Sequence, residues 1–323
     1  MINPKKCAII GCGFVGSTTA YTLMQSALFS EMVLIDLDRK KAEGEAADLG
    51  HGLPFHSPME IYAGDYCDLS DAAIIILTAG TGQKPGETRL DLVRSNTRIF
   101  QSIIEKIIGY NRECILLVVT NPVDILTYVT IKVSGFPSSR VIGSGTVLDT
   151  ARLKYLLGRH LGVDFRNVHS FIIGEHGDSE LPVWSDANVS GIDLDSFCES
   201  SHRDGSYETL NSLFLDVKNS AYRIIENKGA TYYAIAEAVR KIVSSILRDE
   251  NTVLPVSTLV CGHYGLSNVT LSVPCIIGRD GIKEILDIPL DERESKLLSA
   301  SAKKLSAVLD ELGLSILCPT PKR

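Results

Sequence analysis

The apolar residues of this chain follow two rhythms. Up to residue 144, short apolar runs occupy 7–10, 32–35, 73–78 (closing on Thr78) and 114–119, and further strand-like segments lie at 60–63 and 140–142. Runs of this length are the pattern of strands covered on both faces. Stretches with helical spacing, 17–26 and 93–108, lie among them. Strands alternating with helices predict a doubly wound parallel sheet. Beyond residue 144 the order changes. A helix is expected from 148 to about 161, a strand at 168–173, helices over 207–228 and 230–247, an antiparallel pair at 253–261 and 269–278, and a terminal amphipathic helix over 295–312. That mixture reads as α+β. The segment 186–204 reads as a surface connection.

The first strand runs straight into Gly11-Cys12-Gly13-Phe14-Val15-Gly16 and then a helix. Gly11 suits a tight turn, Gly13 lets a pyrophosphate approach the backbone, and Gly16 lets helix and strand pack closely. A GxGxxG alone marks only a glycine turn. Here Asp36 ends the second strand about 20 residues on, where a ribose-binding carboxylate belongs. An anion there repels a 2′-phosphate, which favours NAD over NADP, although Arg39 and Lys40 follow closely. The chain therefore reads as α/β, with an N-terminal Rossmann doubly wound parallel sheet over residues 1–144 and a C-terminal α+β substrate domain over 145–323.

In such sheets ligands bind beyond the carboxyl ends of the strands. Two of those ends carry polar segments, Thr78-Ala79-Gly80 and Thr120-Asn121-Pro122. After the first, residues 81–89 combine glycines, a proline, Gln83, Lys84 and Arg89. The composition fits an ordinary solvated loop, or a lid that carries Arg89 inward and excludes water.

The strand at 168–173 ends in Gly174-Glu175-His176-Gly177-Asp178. Flanking glycines let the backbone turn and leave an imidazole accessible. Histidine exchanges its proton near neutral pH, so His176 is a candidate acid and base. A lone histidine is more often structural. Asp149 and Arg152, three apart on one helix face, change the picture. They are either a simple intrahelical ion pair or a divided device, in which Arg152 holds a substrate carboxylate and Asp149 orients His176.

These motifs, in order GCGFVG, Asp36, TAGTGQKPGETRLDLV, TNPVDILT, GTVLDTARL, IIGEHGDSE and KGATYYAIA, cover nearly the whole chain. Together they resemble the NAD-dependent L-lactate/L-malate dehydrogenase family, most closely its bacterial L-lactate dehydrogenases. The resemblance implies NAD as cofactor, pyruvate and L-lactate as substrates, and a homotetramer. It implies that Arg152 grips the substrate carboxylate, that protonated His176 donates to the ketone oxygen while Asp149 orients it, and that Arg89 polarises the carbonyl. Asn121 and Thr231 would line the substrate pocket, and Asn121 and Ile235 would lie near the nicotinamide. Phe14, Val15, Thr78, Ala79 and Gly80 join the glycines and Asp36 around the cofactor. Gln83 stands where malate-specific relatives carry an arginine, which favours pyruvate over oxaloacetate. Lys154 and His169 stand where some bacterial relatives bind fructose 1,6-bisphosphate with an arginine and a histidine; a phosphate site and two ordinary surface cations both remain open. The Asn121–Pro122 bond is left open as cis or trans.

Composition narrows the alternatives. The 323 residues are enough for two domains or one large one, their 45% apolar content is ample for a buried core, and the formal net charge of −7 argues against nucleic-acid binding. Eight cysteines occur with no CxxC pair, so no metal site is expected; most lie in apolar runs, where a free thiol acts as a small hydrophobe. The first apolar run is too short for a signal-peptide core or a membrane span. A cytoplasmic protein with no membrane partner is the expectation.

Overall fold

The computed structural model describes residues 2–82, 89–314 (Arg89 by its backbone only) and 318. The elements of the first half are β1 (Asn3–Ile10), α1 (Phe14–Gln25), β2 (Glu31–Ile35), α2 (Arg39–Gly52), β3 (Glu60–Ala63), β4 (Ala72–Leu77), α3 (Arg89–Tyr110), β5 (Ile115–Val118), α4 (Val123–Ser134) and β6 (Val141–Gly143). Their strands run parallel in the order β3-β2-β1-β4-β5-β6. The order reverses between β1 and β4, which makes a crevice at their carboxyl ends. Ile74, Ile75, Ile76 and Leu77 of β4 are wholly buried, as a strand covered by helices on both faces requires.

The second half supplies α5 (Val147–Leu161), β7 (Val168–Ile173), β8 (Leu181–Val189), β9 (Ile192–Asp193), α6 (Leu194–Ser201), α7 (Tyr207–Lys228), α8 (Tyr233–Leu247), β10 (Thr252–Cys261), β11 (Ser267–Gly278), β12 (Gly281–Ile285) and α9 (Glu292–Glu311). β7, β8 and β9 form a small antiparallel sheet. β10, β11 and β12 instead extend the main sheet, joining it antiparallel where Ser257 pairs with Gly143. The result is a nine-stranded sheet that runs across both halves.

Several details depart from the sequence expectations. α2 and α4 carry no amphipathic signature that the apolar pattern exposes. α2 buries only Ala42, Ala46 and Leu49, whereas α4 is buried at ten of its twelve positions, so neither shows one apolar stripe. The segment 186–204 is not a plain connection: it holds the end of β8, then β9 and α6. α8 starts at Tyr233 rather than 230. α9 starts at Glu292 rather than 295, fixed by a reciprocal capping box between Asp291 and Glu294. Cys261 and Cys318 are joined in a disulfide; Cys7, Cys12, Cys114, Cys198 and Cys275 are free and buried, and Cys67 is free and exposed.

Candidate active site

The glycine turn after β1 is shaped by close backbone approaches. Gly11 has φ +106°, and a Cβ there would stand 2.5 Å from the Ala79 nitrogen; one on Gly16 would stand 1.8 Å from the Gly11 carbonyl oxygen. Gly13 differs, because nothing lies within 4 Å of its Cβ position. α1 begins at the next residue with no side chain capping it, so first-turn N–H groups and the positive dipole end face that open side. A pyrophosphate fits such a place. The Thr78 hydroxyl donates to the carbonyls of Ile10 (3.1 Å) and Gly11 (2.7 Å), bracing the turn from beneath. Ala79 is half-buried beside it and Gly80 is exposed. Half-buried Asp36 accepts from the backbone N–H of Cys12 (2.6 Å) and Asp38 (3.0 Å), which fixes its carboxylate at the rim of the cradle. Val15 packs on the core, whereas Phe14 is exposed and stacks on Tyr232 with ring centroids 5.4 Å apart. Ile235 lies in the first turn of α8, which packs on α1; Thr231 is half-buried in the turn before that helix.

Beyond β5, Asn121 is exposed and its bond to Pro122 is cis. Asn96 of α3, wholly buried, donates to the carbonyl of Asn121 (3.0 Å) and accepts from the Thr81 N–H (2.9 Å), so it ties two strand-end loops together. Gln83 lies outside the described residues, as does the side chain of Arg89.

The chemistry-bearing groups meet where α5 passes the end of β7. Gly174 (φ +92°) and Gly177 (φ +152°) bend the chain on either side of His176. The His176 Nδ1 lies 2.6 Å from Asp149 Oδ2, while Arg152 Nη1 donates to Asp149 Oδ1 at 2.8 Å. The ion pair of Asp149 and Arg152 therefore forms, and the same carboxylate also meets the histidine ring. With Nδ1 turned to Asp149, Nε2 is the ring nitrogen left to exchange a proton. Burial lowers the imidazole pKa, but the charge and hydrogen bond of Asp149, then the charges of Glu180 and Asp124, outweigh it and raise it to about 9. Burial in turn raises the Asp149 carboxyl, yet His176 and Arg152 together hold it below the usual carboxylate range. The site thus stores an imidazolium against a carboxylate, beside a guanidinium.

The matching family models are the lactate/malate dehydrogenase NAD-binding domain over residues 5–143 and the lactate/malate dehydrogenase alpha/beta C-terminal domain over residues 146–313. The chain belongs to the lactate/malate dehydrogenase family. An L-lactate dehydrogenase of Acetivibrio thermocellus is 58% identical over 310 residues, 96% of this chain and 98% of the relative. L-lactate dehydrogenase 1 of Clostridium acetobutylicum is 52% identical over 314 residues, 97% of this chain and all of the relative. Among solved structures, the minor L-lactate dehydrogenase of Enterococcus mundtii, in a ligands-bound form, superposes with TM-score 0.93 at 43% identity, covering 95% of this chain and 98% of the other.

For a lactate/malate dehydrogenase, the open face at Gly13 and the uncapped start of α1 fit the phosphates of NAD, and Asp36 fits its ribose. Sequence reasoning missed the residues that hold the His176 loop in place. Asp124 of α4, buried, accepts from the His176 N–H (2.8 Å) and the Ser257 hydroxyl (2.6 Å). Ser301 of α9 accepts from the Glu175 N–H (2.8 Å). Neither residue carries a local signal, since its partners lie far away in sequence. Glu180 was also missed: one of its carboxylate oxygens, an Asp149 oxygen and a His176 ring nitrogen lie within 4.8 Å of one another. Lys154 is half-buried on α5, and burial lowers its pKa; His169 is exposed on β7, which packs against α5.

Proposed function

We propose that this lactate/malate dehydrogenase is an NAD-dependent L-lactate dehydrogenase, interconverting pyruvate and L-lactate. One observation carries the chemistry: a single buried carboxylate, Asp149, is hydrogen-bonded at once to His176 and Arg152. The names of the relatives carry the substrate. When bound, the nicotinamide ring supplies or takes the hydride. Arg152 grips the substrate carboxylate by the guanidinium edge that Asp149 leaves, a charge-assisted contact that also orients the ketone. His176 passes its Nε2 proton to the ketone oxygen as that oxygen gains charge. Asp149 favours the imidazolium and keeps the ring aligned, as the aspartate of a hydrolase triad does. Arg89 is assigned to the developing alkoxide charge, Asn121 to the reacting oxygen, Thr231 to the wall near the carboxylate and Ile235 to the nicotinamide face.

Gln83 supports pyruvate over oxaloacetate. A second substrate carboxylate beside a neutral amide lacks a partner, and a buried unpaired charge costs about 3–5 kcal/mol, or roughly two to four decades in selectivity. NADH oxidation with pyruvate and oxaloacetate in parallel is the test, expected to favour pyruvate. Gln83→Arg should move the kcat/KM ratio toward oxaloacetate, and an unmoved ratio counts against the assignment. The same reading carries the division into residues 1–144 and 145–323, a cytoplasmic homotetramer and a role in fermentative glycolysis. A phosphate site at Lys154 and His169 is tested by titrating fructose 1,6-bisphosphate at low pyruvate, where an unchanged rate leaves two surface cations.

A further inference from the structure

Asp149 answers both cations of the site, yet a second carboxyl group is buried with it. Glu180 is the last residue before β8, three past Gly177, whose carbonyl accepts its N–H at 3.2 Å. That turn folds the side chain back under the histidine, where the residue is only 7% exposed. Its carboxylate comes within 4.8 Å of the His176 ring and of Asp149. Among the described residues its side chain makes no direct hydrogen bond or ion pair, so on these neighbours it acts through charge.

We propose that Glu180 is a positioning residue for the proton of His176: its buried carboxylate, within 4.8 Å of the ring, favours the imidazolium, the form that receives a 2-oxo acid. The inference rests on the L-lactate dehydrogenase reading. The surroundings set the order of events. Burial and the Asp149 charge push the Glu180 carboxyl up to about 8, against the pull of His176, Lys218 of α7 and Arg152. The imidazole holds its proton to about 9, with Asp149 of α5, Glu180 and Asp124 of α4 as the anions around it. As pH rises the Glu180 carboxyl loses its proton beside the ring, and the new anion favours retention of the imidazolium proton. The extra proton leaves to solvent, and none is passed between the two side chains.

The test is Glu180→Gln, which keeps the shape and removes the charge at every pH. Near neutrality the raised Glu180 carboxyl keeps its proton and matches the neutral amide of the variant, so KM for pyruvate should differ little. Above about pH 8 the two should part, with the alkaline rise in KM coming about one pH unit earlier in the variant, a roughly tenfold difference in KM. A merely structural role would change KM equally at all pH. The His176 ring titration, followed by NMR without substrate, should show the same shift toward lower pH, and it reads the proposal even if pyruvate is not the substrate. Lys218→Met, which removes a cation facing Glu180, should shift the ring titration the same way by less, and serves if the glutamine variant does not fold. An unmoved ring titration in whichever variant folds overturns the proposal.

Discussion

Asp149 divides its two oxygens between an imidazole and a guanidinium, and both partners lose something different when it changes. Asp149→Asn offers only one acceptor and turns an amide toward one of the cations. We expect kcat for pyruvate to fall by about three to four decades, as loss of an orienting aspartate does elsewhere, and steady-state assays with the folded variant check this. The proton bookkeeping gives a second expectation. With His176 in the acid role we propose, pyruvate takes the imidazolium form, so kcat/KM should stay flat below the His176 value of about 9 and fall about tenfold per pH unit above it. Lactate oxidation should show the opposite trend, and parallel profiles would contradict the assignment. Stability follows the same sign. A histidine whose pKa rises on folding contributes stability that is complete below about 6.5, its ordinary value, and is lost as pH climbs through about 9. Thermal unfolding scans of His176→Gln beside the wild type should therefore converge at alkaline pH. His176, Asp149 and Arg152 were legible because each sits in a local pattern of glycines or helix spacing. Asp124, Glu180 and Ser301 were not, because what defines each is a distant partner or burial that no spacing reports.

At the scale of elements, legibility followed the shape of the apolar pattern. The β1 and β4 runs and the helices α3, α5 and α7 announce themselves, because one face or both faces are apolar in a regular way. α4 hides for the opposite reason: wedged against β10, β11 and α9, it is buried nearly all round, Asp124, Thr127, Thr130 and Ser134 included, and that burial is a property of the assembled sheet. The apolar pattern places the start of α9 three residues late, because that start depends on a polar capping box. Glu294 also accepts from the backbone N–H of Trp184 (2.8 Å) and Ser185 (3.0 Å), so it anchors α9 to β8. Glu294→Ala removes the charged acceptor those part-buried donors share, a cost of about 1–3 kcal/mol. Denaturant midpoints should fall accordingly. α9 also carries Ser301 beneath the histidine loop, so kcat should drop more than KM rises.

Across the whole molecule, the alternation of strands and helices was enough to foresee the parallel sheet, but not that the C-terminal strands would extend it. Nothing in the sequence near 252–278 says which edge an antiparallel pair will join. The seam is tight: a Cβ on Gly143 would lie 2.4 Å from Thr127 Oγ1 and 2.7 Å from Ser257 Cβ. Gly143→Ala should overpack it by about 1–3 kcal/mol, seen as a lower unfolding temperature, while a surface control such as Gly44→Ala, with nothing within 4 Å of its Cβ position, should not.

The seam also decides what a severed piece would do. Asp124 belongs to the N-terminal half, yet His176, Ser257 and Thr270, which its side chain or carbonyl engages, all come from beyond residue 145. Cut after residue 144, the first half would keep its nucleotide turn but lay bare the greasy flank of α4, a stranded acid and the raw margin of β6. Such a fragment should light up a hydrophobic dye and scatter light on standing, and adding the complementary fragment should quench both signals.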